Sequence, residues 1–504
     1  MRKYSTISDD SILIRRKLAK AKMSRRVSFV DLFAGSGGLS LGFDRAGFHC
    51  VGGVELDKDA RETHRKNFST RCPEGYGVAD DITTTAPADL VAHISGVRTD
   101  EKVDIVIGGP PCQAFSRLGR AALWRLAEER GAHLTDPRAE LYAHFLHYIQ
   151  VLKPLAFVME NVKEIGRFGG RNVAHEIAVT AESLGYVVRY ALLNSVWYGV
   201  PQFRERMIII GVHKALGINP AFPPIKYVCP IPAGYTTSRA GRRIPYVLPP
   251  DDLFEDHHGL SSTVYKAHTA QDALSDLPEI FHHLDGRQGK GLVRQPYRTI
   301  PYRHEAHTKY LREMREWPGF FSDIETDGHV IRYTPRDYDI FRRMEAGDQY
   351  PQALRVAEEL FQERIAAYEQ VSGKPVLPGS DTWNAIRKSS VPPYAVGRYP
   401  NKFQKLRPDE PARTLPAHLG KDSYSHIHFD SNQARTISVR EAARLQSFPD
   451  GFRFVGSMNS QFRQIGNAVP PLMAYAIAQT LHQILISADN TWTDVAENLY
   501  EYLF

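Results

Sequence analysis

The chain has 504 residues, 42% hydrophobic and 24% charged, with a net charge of +6 and an isoelectric point near 8.9. Those proportions belong to an ordinary soluble globular protein, and the length suits two or three domains at about 150 residues each. No run of about 18 apolar residues occurs to cross a membrane, and the polar, basic N-terminus lacks the apolar core of a secretory signal. The four cysteines, Cys50, Cys72, Cys112 and Cys229, are far apart and form no C-x-x-C pair. That spacing argues against zinc and disulfide frameworks and suits a reducing cytoplasm. The excess of basic residues is compatible with a polyanionic partner but does not specify one.

Residues 1–26 carry nine basic side chains against Asp9 and Asp10, and read as a solvated, partly helical arm in preference to a phosphate-contacting one. Short β-branched runs then alternate with helical stretches over residues 27–212. Strands are expected at Val27–Phe33, Cys50–Glu55, Asp104–Gly108, Leu155–Glu160, Tyr186–Leu193 and Met207–Val212, with helices at Ala139–Leu152 and Val173–Leu184. Strands rich in Val and Ile, each followed by a helix, predict an α/β domain with a doubly wound, mostly parallel sheet. Over residues 213–434 prolines, aromatics and basic residues are scattered and periodicity is poor, so a second, less regular domain is expected. Within it, Pro335–Gln370 has the apolar spacing of helices. Helical patterning returns over 435–486, at Val439–Ser447 and Pro470–Ile486, before a mildly acidic tail at 487–504.

The first strand runs into Ala34-Gly35-Ser36-Gly37-Gly38-Leu39. Glycines at a strand-to-helix turn let backbone approach a ligand, and the helix N-terminus favours an anionic group. Glu55 ends the next strand, where a carboxylate can bind ribose hydroxyls. Asp80-Asp81-Ile82 offers a carboxylate and an apolar side chain to an adenine, with a plain surface loop as the alternative reading. The spacing is not G-x-G-x-x-G, which favours an adenosyl ligand without a pyrophosphate.

The strand at Asp104–Gly108 leads into Gly109-Pro110-Pro111-Cys112. Two prolines fix the backbone ahead of the thiol, and ligands of such sheets collect beyond the strands' carboxyl ends. The next strand ends in Glu160, which places a carboxyl group beside Cys112. In Gln202-Phe203-Arg204-Glu205-Arg206, an extended segment turns Gln202, Arg204 and Arg206 to one face.

The segments DLFAGSGGLSLGF (from Asp31), ELD (from Glu55), GGPPCQAFS (from Gly108), ENV (from Glu160), QFRER (from Gln202), REAARLQSFPD (from Arg440) and QIGNAVPP (from Gln464) resemble, in order and spacing, the motifs of the DNA cytosine-5 methyltransferase family. The match covers about Val27–Val212 and Arg413–Ile486, with a short stretch at Gln271–Pro278. The resemblance implies a Rossmann-like methyltransferase fold, S-adenosylmethionine as methyl donor with S-adenosylhomocysteine as product, and no metal. It implies that Cys112 is the nucleophile, that Glu160 contacts the cytosine N3 and amine, that Arg206 reaches the base carbonyl, and that Arg204 supports the catalytic loop or a phosphate. Carbon-5 of cytosine is a poor nucleophile, and thiolate addition at carbon-6 activates it. A duplex-buried base must be flipped out to meet the thiol, and the loop Phe115–Asp136 is the expected lid.

For the cofactor, the resemblance gives Phe33 a stacking role on the adenine and Glu55 the ribose, with Asp81 and Ile82 flanking the adenine. Ala34, Gly35, Gly37, Gly38, Leu39, Pro110 and Leu141 line the pocket, and Asn467, Ala468 and Val469 close it. Leu56 stands where relatives often carry an aromatic residue. The middle region is then a target-recognition domain with a helical insertion. The expected partner is double-stranded DNA, with a cognate restriction endonuclease in a restriction-modification system, no membrane, and a monomeric, cytoplasmic enzyme. A tRNA methyltransferase of the same fold and a non-enzymatic DNA-binding relative are the alternatives. Intact Cys112, Glu160 and Arg206 oppose the second, and the long middle region opposes the first. Methyl transfer from labelled donor to duplex DNA but not to tRNA is the outcome expected.

Overall fold

Apolar runs that can be buried on both faces become the strands of one seven-stranded sheet. The computed structural model describes residues 9–24, 26–71, 76–95, 103–111, 141–167, 171–231, 264–284, 298–395, 402–421 and 424–486. The strands are β1 (Val27–Leu32), β2 (Phe48–Val54), β3 (Gly77–Ala79), β4 (Ile105–Gly108), β5 (Ala156–Val162), β6 (Tyr186–Asn194) and β7 (Glu205–His213), in the order β3-β2-β1-β4-β5-β7-β6. β1 runs parallel to β2 and β4, β2 to β3, and β4 to β5, while β7 is antiparallel to both β5 and β6. Phe29, Val30, Ile105, Val106, Val158, Met159, Ile208 and Ile209 are fully buried at its centre. The expected doubly wound, mostly parallel sheet is therefore present. β3 escaped the sequence reading because three residues are too few to show a period.

Two ends differ instructively from the sequence reading. β1 stops at Leu32 because Phe33 takes a left-handed φ of 64°. β7 begins two residues early, at Glu205, because the ladder with β5 continues to the pair Val162–Arg206.

The N-terminal segment is helical from Asp9 to Ser24, but it is not a solvated arm. Ile14, Lys17 and Ala21, spaced along one face, are buried. The Lys17 ammonium donates to the carbonyls of Val103 (3.2 Å), Leu152 (2.7 Å) and Lys153 (3.1 Å). Two of these acceptors close the C-terminal end of the helix Leu141–Leu152. There a cation satisfies carbonyls that have no partner within the helix. At the other end of the chain, helix Pro471–Ile486 lies against helix Gly38–Arg45. Contact is so close at Gly42 that an added Cβ would sit 2.4 Å from the Ala474 Cβ.

The chain divides into two units, one of residues 1–200, 204–266 and 468–504, the other of 201–203 and 267–467. Both borders fall later than the texture of the sequence suggests. The first unit keeps residues beyond 213 because Tyr227–Val228 pairs in parallel with Tyr265–Lys266. The second keeps 435–467 because the segment beginning at Arg440 is its polar core. Arg440, fully buried, pairs with Asp327 at 2.6 Å. Arg444 grips Asp450 (Nε–Oδ1 2.6 Å) and Asp276 (3.0 Å), and Arg435 binds both oxygens of Glu441 at 2.7 Å. Glu441 also completes a capping box with Ser438 at the start of helix Val439–Leu445. The apolar spacing in Pro335–Gln370 becomes helices Tyr338–Arg343 and Tyr350–Ser372. A further helix, Asp381–Ser390, which the sequence reading did not include, packs beside the longer of these through Trp383 and Phe361. Among the described residues, no helix is long and apolar enough to cross a membrane.

Replacing Lys17 by Met should lower the unfolding free energy of the full chain by about 2 kcal/mol, the scale of hydrogen bonds to a buried charged group. Chaotrope unfolding measures this, and an unchanged midpoint would mean that the apolar face alone docks the helix.

Candidate active site

Because β1, β2, β4 and β5 are parallel, Phe33, Glu55 and Gly109, which follow their strands, and Glu160, two residues before the end of β5, lie at the same edge of the sheet. β7 is reversed, so its first residues, Glu205 and Arg206, reach that edge as well.

At β1 the chain turns sharply. The Ala34 amide donates to the Val54 carbonyl at 3.0 Å and the Gly37 amide to the Ala34 carbonyl at 2.9 Å. Gly35 and Gly37 have φ of 56° and 94°, which only glycine adopts without strain. A Cβ at Gly35 would meet nothing within 4 Å, so the outer side of the turn is open. Gly38 and Leu39 are buried in the first turn of the following helix. Glu55 is bound to this turn. Its carboxylate accepts from the Gly35 amide and the Asp57 amide, both at 2.7 Å, and burial raises its pKa. Asp57 in turn caps helix Lys58–Phe68. The Glu55 amide donates to the Ala79 carbonyl, which brings the segment after β3 alongside. There Asp81 is half-buried and accepts from the Thr83 amide, while Ile82 is buried in an apolar cluster that Leu141 packs against. Leu56 is 70% exposed.

The second cluster is built on β5. Glu160 is buried, and Arg206 binds it at 2.8 Å between Nε and Oε1. The register explains the meeting. Glu160 stands opposite Ile208 and Val162 opposite Arg206, so the two side chains are diagonal neighbours on one face. Burial raises the Glu160 pKa, and the Arg206 and Arg204 guanidiniums offset only part of that rise. A carboxyl group held this way can carry a proton and still accept a hydrogen bond. Gly109 lies against it, since a Cβ there would come 3.0 Å from the Glu160 Oε2. The Asn161 side-chain amide donates to the carbonyl of buried Pro110 at 2.8 Å. Asn161 was not singled out in the sequence, although its place directly after Glu160 in ENV was the available signal. It anchors the loop entering Cys112. Cys112 itself lies outside the described residues, as does the expected lid Phe115–Asp136.

One expectation about the QFRER segment needs correction. Arg204 is fully buried and donates to the Ala468 carbonyl at 3.0 Å, while its own carbonyl accepts from the Ser195 amide. It braces backbone at Ala468. The segment is not one extended strand from Gln202 to Arg206, because β7 starts only at Glu205 and Gln202 forms a separate bridge with Ala412. The Gln202 amide group donates to the Leu445 carbonyl and to Gln446, and accepts from the Leu415 amide. In the C-terminal segment, Ala468 and Val469 are buried, whereas Asn467 is the exposed last residue of helix Met458–Asn467. Among the described residues, no group of three or more His, Cys, Asp or Glu side chains is placed to hold a metal.

Comparison with known proteins shows the family. The family model for C-5 cytosine-specific DNA methylase matches residues 27–483. A protein of Oceanobacillus iheyensis named among the type II methyltransferases, M.OihORF3336P, is 35% identical, with 90% of this chain and 94% of the relative covered. The type II methyltransferase M.AgeI of Thalassovita gelatinovora is 31% identical over 90% of this chain and 98% of its own. A crystal structure described as a DNA modification methyltransferase encoded within an E. coli prophage has the same fold. Its TM-score is 0.55 at 22% identity, with 91% of this chain and 99% of the other covered. The chain belongs to the C-5 cytosine-specific DNA methylase family and is a DNA cytosine-5 methyltransferase.

Proposed function

We propose that this enzyme methylates a flipped-out cytosine in a specific double-stranded DNA sequence through a covalent Cys112 intermediate. The observation that carries the reading is the buried Glu160–Arg206 pair, with Glu160 against Gly109 and the next residue, Asn161, bonded to Pro110, two residues ahead of Cys112. The Cys112 thiolate adds to carbon-6 while Glu160, still carrying its proton, hydrogen-bonds the ring N3. Electron density then rises at carbon-5, which takes up the methyl group. Loss of the carbon-5 proton and departure of the thiolate restore the aromatic ring and the free enzyme. Arg206 meets the base carbonyl and holds Glu160 in place, and Arg204 supports it from behind through the Ala468 backbone.

S-adenosylmethionine supplies an electrophilic methyl group on sulfur. The residues present suit it. The open side of the Gly35 turn leaves room for a ligand, the buried Glu55 carboxylate lies beside that turn, and Ile82 and Leu141 offer apolar surface. Phe33, Ala34, Gly37, Gly38, Leu39, Leu56, Asp81, Pro110, Asn467, Ala468 and Val469 complete the proposed binding set. The second unit reads the target sequence. Relatives 31–35% identical carry the name type II methyltransferase, which supports a protective role beside a cognate restriction endonuclease.

Three outcomes follow from this reading. Cys112→Ser should abolish methyl transfer to duplex DNA, by a factor above about 10³ for loss of a covalent nucleophile, while donor binding measured by calorimetry is retained. Methylation at the normal rate would overturn the covalent route. Bisulfite sequencing of DNA from cells expressing the wild-type chain should show protected cytosines in one short sequence context. Arg206→Met should raise the Glu160 titration midpoint by at least about one pH unit, because an opposite charge is lost from a buried carboxyl group. Carbon NMR of the labelled side chain reads this directly, and an unmoved midpoint would show that the pair does not persist in solution.

A further inference from the structure

Beneath the glycine turn lies a chain of polar side chains that the reaction as described does not use. The Ser40 hydroxyl contacts the Asp31 Oδ2 at 2.6 Å, the His64 Nε2 lies 3.0 Å from the Ser40 oxygen, and the His64 Nδ1 meets the Tyr76 hydroxyl. Asp31, Ser40 and His64 are essentially inaccessible, while Tyr76 is half-buried. They come from four separate places: Asp31 from β1, Ser40 from helix Gly38–Arg45, His64 from helix Lys58–Phe68, and Tyr76 from the residue before β3. His64 also floors the turn sterically, since a Cβ at Gly37 would fall 2.9 Å from its Cδ2 and 2.5 Å from the ring of Phe68.

Proton bookkeeping gives the chain a direction. With Asp31 ionised, Ser40 must donate to it. The Ser40 oxygen then accepts from a protonated Nε2 of His64, and the unprotonated Nδ1 accepts from Tyr76. Burial keeps the imidazole neutral, with its pKa pushed down to about 3. Protonating Asp31 allows every bond in the chain to reverse.

We propose that Ser40 and His64 are positioning residues for the methyl donor, holding the glycine turn from below and maintaining a buried Asp31 carboxylate whose charge favours the cationic donor over its uncharged-sulfur product. The inference rests on the reading that this turn holds S-adenosylmethionine. The donor carries a net charge of about +1 near neutrality and the product about zero, counting their ionisable groups at ordinary pKa values. Facing Asp31 from β2 are Cys50, whose thiol burial keeps protonated, and Glu55, whose charge opposes ionisation of Asp31. From the two helices come His64, neutral, and Asp44, already paired with Arg71 at 2.6 Å. β4, on the other side, has no titratable residue in its span Ile105–Gly108. Burial is the largest influence on Asp31 and pushes it up to about 7, so its charge changes within the working range.

The test is calorimetric binding of S-adenosylmethionine and S-adenosylhomocysteine to the full chain between pH 6 and pH 8.5, without DNA. For the wild type, donor affinity should fall roughly fivefold as the pH drops through 7, and product affinity should change less than about twofold. Asp31→Asn should hold donor affinity at its low-pH level throughout. Ser40→Ala, which removes the hydroxyl that stabilises the ionised form, should move the transition to higher pH. Tyr76→Phe, at the half-buried end, should move it in the same direction by less, and it serves should Ser40→Ala fail to fold. A flat donor profile in the wild type, equal pH dependence for donor and product, or an unmoved transition in both variants would overturn the inference while leaving the cofactor site intact. Failure of the wild type to bind donor at any pH would overturn the site itself.

Discussion

Parallel pairing of β1, β2, β4 and β5 is the constraint on which the chemistry depends. It makes four consecutive loops emerge at one edge, so residues far apart in sequence, such as Phe33 and Glu160, converge without any long-range signal in the chain. The reversed β7 completes the arrangement. A parallel strand there would bring its last residue, His213, to the edge. Running backwards, it brings its first, and the guanidinium of Arg206 arrives diagonal to the buried carboxyl group it must compensate. Without that cation Glu160 would be an isolated buried carboxyl group, costly to ionise.

Most of this was legible in the sequence, for specific reasons. Strands buried on both faces leave unbroken Val and Ile runs, so β1, β4, β5 and β7 could be placed to within a few residues. The glycines after β1, and Glu55 and Glu160 at strand ends, stand out because charge and conformational freedom are unusual at such positions. What was not legible depends on three-dimensional pairing. That Arg204 braces a carbonyl of Ala468 follows from a contact 264 residues away in sequence, which no local pattern encodes. Asn161 looks like any strand-end amide until its bond to Pro110 is seen. Basic residues near the N-terminus suggest a solvated arm, because Lys17 differs from its neighbours only in where its ammonium lands. The thiol, read from the sequence with its prolines, lies outside the described residues.

The border between the two units was misread for a related reason. The motif beginning at Arg440 resembles part of a catalytic family signature, which points toward the catalytic domain. Its charged residues serve cohesion in the second unit. Arg440, Arg444 and Arg435 are all buried, each with a carboxylate partner. Such pairs are little better than well-packed apolar residues in net stability, but losing one partner strands a charge in the interior. They tie Asp276 and Asp327, which lie in separate parts of the unit, to one short helix and, through Asp450, to the turn that follows it.

That way of holding a structure together has an evolutionary corollary. Geometry in the second unit is fixed from the inside, by buried arginine–carboxylate pairs and by an apolar cluster that includes Ile340, Phe341, Tyr350 and Phe403. Surface side chains there are accordingly free to vary one at a time. Exposed substitutions can thus accumulate singly, while the scaffold beneath is inherited unchanged.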